Sequence, residues 1–350
     1  MKRANAVTVA QLDAFDEVID VRSPSEFSLD HVPDAVNCPV LDDAERAHVG
    51  TLYKRVSPFD AKKAGAALVS KNIARHIDER FRAQGREWRP LVYCWRGGQR
   101  SASMAHVLRE VGWDAATLEG GYRAYRREVI AQLDRLPGNF RFRVLCGATG
   151  SGKSRLLEAL AARGAQVLDL ERLARHRGSL LGDLPGEPQP SQKMFDSQVW
   201  KALKGFDPGR SVHVEAESKK IGQLQVPAML LERMREGECL RLEVPAAERV
   251  RFLIEEYKHF LVEPAGLKEK LKCLTVHYGH EVVERWLGQA DSGSWPDLVA
   301  DLLHTHYDPS YLRATTRNYL HYDNGRRLSL ERLDEAGIES VAAELSRSPV

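Results

Sequence analysis

The stretch YCWRGGQRS at residues 93–101 combines a cysteine with two arginines in a spacing that suits sulfur or selenium chemistry. Cys94 follows an apolar run, and five residues separate it from Arg100. A thiol becomes a good nucleophile when its anion is stabilised, and a tight loop that leads into a helix can point several backbone N–H groups at one sulfur. We therefore predict an exposed, reactive Cys94 that carries sulfur or selenium as a persulfide or selenenylsulfide. The residues predicted to bind an anion here are Arg96, Gly97, Gly98, Arg100 and Ser101.

A second stretch, GATGSGKS at residues 147–154, fits the pattern Gly-x4-Gly-Lys-Ser of a phosphate-binding loop. A predicted strand, RFRVLCG (141–147), precedes it and a helical pattern follows, which is the context that the motif requires. Backbone N–H groups at the helix N-terminus would surround a diphosphate, Lys153 would neutralise its outer charge, and Ser154 would bind Mg²⁺. The predicted phosphate-binding residues are Gly147, Thr149, Gly150, Ser151, Gly152, Lys153 and Ser154.

Three acidic residues are candidate partners of this loop, because an acid at the end of a neighbouring strand is usual in such sites. Asp169 follows QVL, and Glu215 and Glu217 occur in VHVEAES. None of the three ends a run of four apolar residues, so a surface or turn role remains the alternative. The motif predicts a bound diphosphate but does not identify the molecule that carries it.

Strands and helices alternate in the first part of the chain. EVIDVR (17–22), DAVNCPV (34–40) and PLVYC (90–94) are predicted strands, and SASMAHVLREVG (101–112) is a predicted helix with Ser101 as its N-cap. This alternation predicts an α/β domain with a largely parallel sheet over residues 1–131.

A linker and a second α/β domain are predicted to follow. Residues 132–140 contain Pro137 and Gly138, which interrupt the periodic pattern. Residues 141–350 are predicted to form a domain with a parallel sheet around the phosphate loop and a helical C-terminal region from about residue 245.

The composition fits a globular protein of two or three domains, with 350 residues of which 43% are hydrophobic and 29% charged. No apolar run approaches the roughly 20 residues that span a bilayer, and the N-terminal stretch lacks the apolar segment of a signal peptide. Five scattered cysteines without a CxxC pair predict neither a zinc site nor a disulfide framework, so we expect a cytoplasmic protein without a membrane partner. The net charge of +2 neither requires nor excludes nucleic acid, although arginines and tyrosines alternate suggestively at 311–327.

Four stretches together resemble a rhodanese domain, in order and at fitting distances. They are DVRSPSEF (20–27), HVPDAVNCPV (31–40), YCWRGGQRS (93–101) and LEGGYRAY (118–125). One feature departs from many rhodaneses, because seven residues from Cys94 to Arg100 replace a six-residue loop. Cys-x5-Arg is also the spacing of the cysteine phosphatases, and a wider loop could hold a tetrahedral oxyanion.

The order of rhodanese domain, short linker and phosphate loop resembles the tRNA 2-selenouridine synthase family over most of the chain. Further stretches that carry this resemblance are GTLYKRVSPFDAKKAGAALVSKNIARH (50–76), LDLERLARHRGSLLG (168–182), QPSQKMF (189–195) and VEAESKKIG (214–222). The resemblance implies a rhodanese-like domain followed by a P-loop NTPase-like domain.

The resemblance also implies a two-step reaction on the wobble 2-thiouridine in the anticodon loop of tRNA. Geranyl diphosphate first alkylates the sulfur, and selenium from selenophosphate then replaces the S-geranyl group. Lys153 and its neighbours would hold the diphosphate, and Cys94 would carry the selenium while Arg96 and Arg100 hold phosphate. No tightly bound cofactor is expected, Mg²⁺ is a candidate ion, and a selenophosphate synthetase is a candidate partner.

Three alternatives stay open at this point. An ATP-dependent tRNA sulfur or selenium transferase would use both loops with a different donor. A rhodanese-type phosphatase fused to a nucleotide-binding module would use Cys94 without tRNA. A tRNA-binding scaffold with an inactive rhodanese domain is disfavoured by the intact Cys-x5-Arg loop.

Overall fold

The computed structural model describes residues 6–347, and the chain folds into two compact units. One unit comprises Met1–Gln132 and Ser191–Lys201, and the other comprises Leu133–Pro190 and Ala202–Val350. The domain boundaries drawn from the sequence stay a prediction. The division into units differs from them because the segment Ser191–Lys201 belongs with the first unit.

A parallel sheet forms the centre of the first unit. In chain order its strands are β1 (Ala6–Val7), β2 (Glu17–Asp20), β3 (Val36–Asn37), β4 (Pro90–Tyr93) and β5 (Ala116–Leu118). They pair in parallel in the order β1-β5-β4-β2-β3. All four residues of the central β4 are buried, as expected for a strand that is covered on both faces.

The first three α-helices along this part of the chain begin after a serine or aspartate N-cap. In chain order the α-helices are α1 (Pro24–Leu29), α2 (Asp43–Arg55), α3 (Pro58–His76), α4 (Gln99–Val111) and α5 (Gly121–Leu133). At the start of α2, the Asp42 carboxylate accepts from the Glu45 N–H at 2.7 Å, and the Glu45 carboxylate accepts from the Asp42 N–H at 3.0 Å. This reciprocal pair satisfies two backbone donors that a helix end leaves without partners.

A second parallel sheet organises the other unit. In chain order the strands are β6 (Phe142–Cys146), β7 (Gln166–Leu168), β8 (Val212–Glu215), β9 (Lys220–Ile221), β10 (Leu224–Gln225), β11 (Glu238–Glu243) and β12 (Arg326–Ser329). Five of them pair in parallel in the order β12-β11-β6-β8-β7, and β9 and β10 form a separate antiparallel pair. The central β6 leads directly into the phosphate loop.

Most of the later helices belong to the second unit and form its C-terminal region. In chain order they are α6 (Lys153–Ala162), α7 (Leu170–Ala174), α8 (Gln192–Lys204), α9 (Ala228–Arg235), α10 (Ala246–Glu256), α11 (Lys258–Val262), α12 (Pro264–Lys272), α13 (Thr275–Tyr278), α14 (His280–Asp291), α15 (Trp295–Leu302), α16 (Asp308–Asn318) and α17 (Glu335–Arg347). The predicted fold class, an α/β chain with two parallel sheets and a helical C-terminal region, is confirmed. The helical region is interrupted by β12, which adds to the sheet edge beside β11 and was not predicted.

Candidate active sites

The thiol loop connects β4 to α4 at the carboxyl end of the first sheet. The sulfur of Cys94 turns inward and accepts hydrogen bonds from the Gly98 N–H and from the Ser101 hydroxyl, each at 3.2 Å. Because of this orientation Cys94 is only 3% exposed, and the expectation of an exposed thiol is wrong. Residues 95–99 of the loop are exposed, so the loop itself lies at the surface.

The electrostatics of the loop favour a thiolate at Cys94. Burial raises the pKa of this thiol, but hydrogen bonds from the Ser101 hydroxyl and from the backbone N–H groups of Ser101, Arg96 and Gly98 outweigh it. The net result is a pKa below the ordinary cysteine value. The loop therefore provides the converging N–H groups that the sequence predicted.

Ser101 stabilises the sulfur instead of capping the helix. The helix begins at Gln99 with Gly98 as its N-cap, two residues earlier than predicted, because the glycine pair already turns the chain into the helix. Ser101 therefore lies in the first turn of α4, fully buried, with its hydroxyl aimed at Cys94. The predicted N-cap role of Ser101 is therefore wrong. Because its hydroxyl contacts the sulfur of Cys94, any effect of this hydroxyl on anion binding would be indirect, through that sulfur.

Replacing Ser101 by alanine is expected to raise the pKa of Cys94, because the thiolate loses a hydrogen bond from a hydroxyl. The midpoint of the pH dependence of Cys94 alkylation by iodoacetamide should rise by about one unit, which corresponds to one such bond to a charged group. Ser103→Ala, on the same helix, is the matched control. An unchanged midpoint in Ser101→Ala would contradict this role.

The start of α5 packs against the thiol loop and fixes its shape. The backbone N–H of Tyr122 donates to the Cys94 carbonyl at 2.9 Å, and that of Arg123 donates to the Trp95 carbonyl at 3.1 Å. At Gly121 the backbone has a φ of +56°, and a Cβ atom would lie 2.2 Å from the Cys94 carbonyl oxygen. Only glycine allows this approach, so the LEGGY stretch supports the loop.

The two arginines of the loop have different surroundings. Arg96 is exposed, whereas Arg100 is partly buried and donates through Nη1 to the Glu26 carboxylate at 2.9 Å. A guanidinium has five N–H donors, so the bond to Glu26 occupies only part of its capacity. Arg100 is thus held in place by Glu26 while other donors remain for an anion.

The phosphate loop connects β6 to α6 in the second unit. Helix α6 begins at Lys153 with Gly152 as its N-cap, so its first N–H groups are available to an anion. The Lys153 ammonium reaches back across the loop and donates to the Gly147 carbonyl at 2.7 Å. This arrangement places the positive charge over the loop, as the motif predicts.

Helix α10 supports the remaining residues of the phosphate loop. The Thr149 carbonyl accepts from Nε of the buried Arg249 at 2.9 Å. Gly150 has a φ of +80°, and a Cβ atom there would lie 2.8 Å from the Leu253 side chain. Ser151 is 1% exposed, and its hydroxyl has no hydrogen-bond partner within residues 6–347.

The acid that contacts the phosphate loop is one that the sequence reasoning missed. The Ser154 hydroxyl donates to the Glu171 carboxylate at 3.0 Å. Glu171 lies in the first turn of α7, two residues after Asp169, so the signal was a second acid just beyond the end of β7. Burial raises the pKa of Glu171, and the Lys153 charge opposes that shift.

The three predicted acids surround Glu171 without bonding to Ser154 in the described part of the chain. Asp169 caps α7 by accepting from the Arg172 N–H at 2.8 Å, and Glu215 accepts from the Glu171 N–H at 2.7 Å. Burial, followed by the neighbouring carboxylates, raises the pKa of Glu215 and of Glu217 well above the usual range. Across residues 6–347, no three His, Cys, Asp or Glu side chains are arranged to hold a metal ion.

A cleft of about 660 Å³ opens beside the phosphate loop. Loop residues 149–154, the carboxylates of Glu171 and Glu217, and the cations Arg172 and Arg177 line it. The cleft can therefore receive an anion at the helix N-terminus.

An apolar pocket adjoins this cleft. Five residues line both cavities, namely Thr149, Ser179, Leu253, Tyr257 and Tyr307. Apart from Thr149 and Ser179, every residue that lines the pocket is aliphatic or aromatic, including Leu261, Trp295 and Leu298. The pocket is assembled from α10, α11, α12, α15 and their connections, so a phosphate site and an apolar cavity meet at Thr149.

Two family models match consecutive parts of the chain. The rhodanese-like domain matches residues 6–128, and the tRNA 2-selenouridine synthase AAA domain matches residues 140–273. The two matches define a rhodanese-like domain followed by an AAA domain that contains the phosphate loop.

Proteins named tRNA 2-selenouridine synthase are similar over most of the chain. The protein of Sulfurovum sp. is 35% identical over 337 residues, which cover 86% of this chain and 89% of that protein. The protein of Nitrosomonas europaea is 36% identical over 259 residues, which cover 73% of this chain and 66%, just under two thirds, of its own length. The chain belongs to the tRNA 2-selenouridine synthase family, which confirms the resemblance drawn from its sequence.

No helix within residues 6–347 has both the length and the apolar character needed to cross a membrane.

Proposed function

We propose that this protein converts the wobble 2-thiouridine of tRNA to 2-selenouridine in two steps, with geranyl diphosphate and selenophosphate as donors. Family membership supports an enzyme that acts on tRNA. The observation that carries the finer proposal is the apolar pocket that opens from the phosphate loop at Thr149. The pocket measures about 60 Å³ and the cleft about 660 Å³, so the pocket has room for the apolar end of a hydrocarbon chain whose diphosphate head lies in the cleft.

In the first step, a lone pair of the thiocarbonyl sulfur attacks C1 of geranyl diphosphate. The C1–O bond breaks, its electron pair leaves with the diphosphate, and the N3 proton of the uridine ring passes to water. The diphosphate gains charge as it departs, so donors that are fixed in advance stabilise the transition state more than the ground state. Lys153 and the first N–H groups of α6 supply those donors.

The apolar pocket favours an alkyl donor over a nucleotide. A ribose and a base carry several hydrogen-bonding groups, and burying them among leucines, tryptophan and phenylalanine would leave those groups unpaired. A geranyl chain has no such groups, and each CH₂ group that it buries contributes about 0.8 kcal/mol. The ATP-dependent alternative therefore fits the pocket less well.

Mg²⁺ fits the phosphate loop as an ion shared with the donor. The Ser154 hydroxyl and the Glu171 carboxylate lie 3.0 Å apart and are oxygen ligands of the kind that Mg²⁺ accepts. Mg²⁺ commonly takes one or two protein oxygens and completes its shell with phosphate oxygens and water. Bound there, the ion would neutralise charge on the diphosphate.

The second step replaces the S-geranyl group by selenium. Alkylation turns the ring sulfur into a thioether-like substituent that leaves as geranyl thiol, whereas a free thiocarbonyl sulfur leaves poorly. We assign Cys94 to this step, because its thiolate lies among backbone donors with Arg96 and Arg100 close in sequence.

Leu261→Asn is expected to weaken the binding of geranyl diphosphate about tenfold, because it places an amide among apolar side chains of the pocket. Binding of inorganic diphosphate should be unchanged, since the phosphate loop is intact. Calorimetric titration of both ligands, and of ATP, measures this difference. Leu312→Asn, at an exposed leucine of the same unit, is the matched control.

Tighter binding of ATP than of geranyl diphosphate by the unmodified protein would contradict the assignment of the pocket. If Leu261→Asn weakened the binding of geranyl diphosphate and of inorganic diphosphate equally, the substitution would be shown to damage the phosphate loop and not a pocket that binds the hydrocarbon chain.

A further inference from the structure

The oxidation states of selenium and phosphorus restrict what Cys94 can do with selenophosphate. In selenophosphate, selenium is at its most reduced state and phosphorus is at its highest state. A thiolate that attacked selenium to form a selenenylsulfide would expel phosphorus as phosphite. Formation of phosphate together with a selenenylsulfide would instead require a two-electron oxidant, and the proposed reaction supplies none. A selenium carrier on Cys94 therefore does not balance with phosphate as the product.

We propose that Cys94 attacks the phosphorus of selenophosphate, as a phosphoryl acceptor, and releases hydrogen selenide beside the modified base. This inference rests on the proposed function and deepens its second step. An S–P bond forms on Cys94, the P–Se bond breaks, and its electron pair leaves on selenium as HSe⁻. No atom changes its oxidation state.

The subsequent steps also balance. Hydrogen selenide adds to C2 of the S-geranyl uridine and expels geranyl thiolate, which takes a proton from water, while the selenium proton moves to N3. Water then attacks the phosphorus on Cys94, which returns the thiol and releases phosphate.

The structure of the thiol loop supports attack on a phosphoryl group. Backbone N–H groups of Arg96, Gly98 and Ser101 converge on the sulfur, where they would face the equatorial oxygens of a phosphoryl group that forms there. Charge on those oxygens in the transition state is what such fixed donors stabilise.

Arg100 adds a positioned cation at the end of the loop. Its Nη1 donates to the Glu26 carboxylate. The remaining N–H groups of the guanidinium can donate to two phosphoryl oxygens. A planar guanidinium that is anchored in this way loses little freedom when it binds an anion.

A departing alkoxide needs a proton donor, whereas HSe⁻ is a weak base and leaves without one. Residues 94–101, CWRGGQRS, include no aspartate or glutamate. Glu26, the carboxylate that contacts Arg100, is a poor proton donor, because burial raises its pKa but the hydrogen bond from Arg100 outweighs that effect and lowers it. These residues therefore suit selenophosphate better than an alkyl phosphate.

Trapping the adduct on Cys94 tests the proposal directly. The full-length protein is mixed with selenophosphate and tRNA that is already geranylated, quenched with acid, digested and analysed by mass spectrometry. Phosphoryl and selenium adducts have similar masses, but the isotope pattern of selenium distinguishes them. We expect a phosphorylated Cys94 peptide without selenium. A selenium isotope pattern on that peptide would overturn the proposal.

Rescue with selenide provides a second readout that does not depend on trapping. Cys94→Ser is expected to be inactive with selenophosphate but to form selenouridine from geranylated tRNA when hydrogen selenide is supplied, faster than a reaction without protein. Absence of rescue together with absence of a phosphorylated peptide would overturn the inference. If the unmodified protein forms no selenouridine from geranylated tRNA and selenophosphate, the proposed function itself fails.

Discussion

Lys153→Ala is expected to lower the rate of geranylation by about 10²- to 10³-fold, the range observed when one fixed donor to a developing negative charge is removed. The ammonium lies over the phosphate loop, 2.7 Å from the Gly147 carbonyl, and no other lysine lines the cleft within residues 6–347. Its loss removes the one cation that belongs to the loop and leaves the departing diphosphate with the backbone N–H groups, the Ser154 hydroxyl and the arginines that line the wider cleft. The measurement is the single-turnover rate of S-geranyl-2-thiouridine formation in thiolated tRNA.

The consequences of Lys153→Ala should be confined to the first step. With tRNA that is already geranylated, the variant should form selenouridine from selenophosphate at close to the rate of the unmodified protein. Lys272→Ala is the matched control, since Lys272 forms an exposed ion pair with Glu269 on α12, and such pairs contribute little. Geranylation at the normal rate in Lys153→Ala would contradict the role of the phosphate loop.

Cys94→Ser is expected to reduce selenation by selenophosphate by at least about 10³-fold, because a serine hydroxyl in this loop is not ionised and no base lies within the loop to activate it. Geranylation should continue, so S-geranyl-2-thiouridine should accumulate when both donors are present. Time courses of the two modified nucleosides measure both effects in one experiment.

Cys273→Ser is the matched control for this variant, since Cys273 is the exposed cysteine among the five. It should behave like the unmodified protein in both steps. Formation of selenouridine from selenophosphate at the normal rate in Cys94→Ser would exclude Cys94 from the reaction.

The conformation of the two loops could be predicted because it depends on neighbours in sequence, whereas the ligands assigned to their residues stay predictions. The spacing from Cys94 to Arg100 indicates a tight anion-binding turn, and Gly147 to Ser154 indicates a phosphate loop before a helix. Both predictions depend on the order of strand, glycine turn and helix, which short apolar runs reveal. The alternation of strands and helices likewise indicates the two parallel sheets.

Pairings between distant positions could not be predicted in the same way. Arg100 contacts Glu26, which is 74 positions away in the sequence, and Ser154 contacts Glu171, which is 17 positions away. Glu171 lies in α7, a short helix whose start the sequence does not reveal. Serine favours the N-cap position, which predicts that role for Ser101, but the glycine turn starts the helix earlier.

The apolar pocket illustrates a further limit. Amphipathic patterns indicate that α10 and α15 have apolar faces, but they do not indicate that these faces leave a cavity beside Thr149. The short strand β12 was missed for a related reason, because its sequence RRLS has one buried apolar residue and depends on pairing with β11.

The most direct test of the two-step account is nucleoside mass spectrometry of thiolated tRNA after incubation with the purified protein. Geranyl diphosphate and selenophosphate are added separately and together. The account predicts S-geranyl-2-thiouridine with geranyl diphosphate alone, no change with selenophosphate alone, and 2-selenouridine only when both are present. Formation of selenouridine without geranyl diphosphate, or only with ATP, would contradict it.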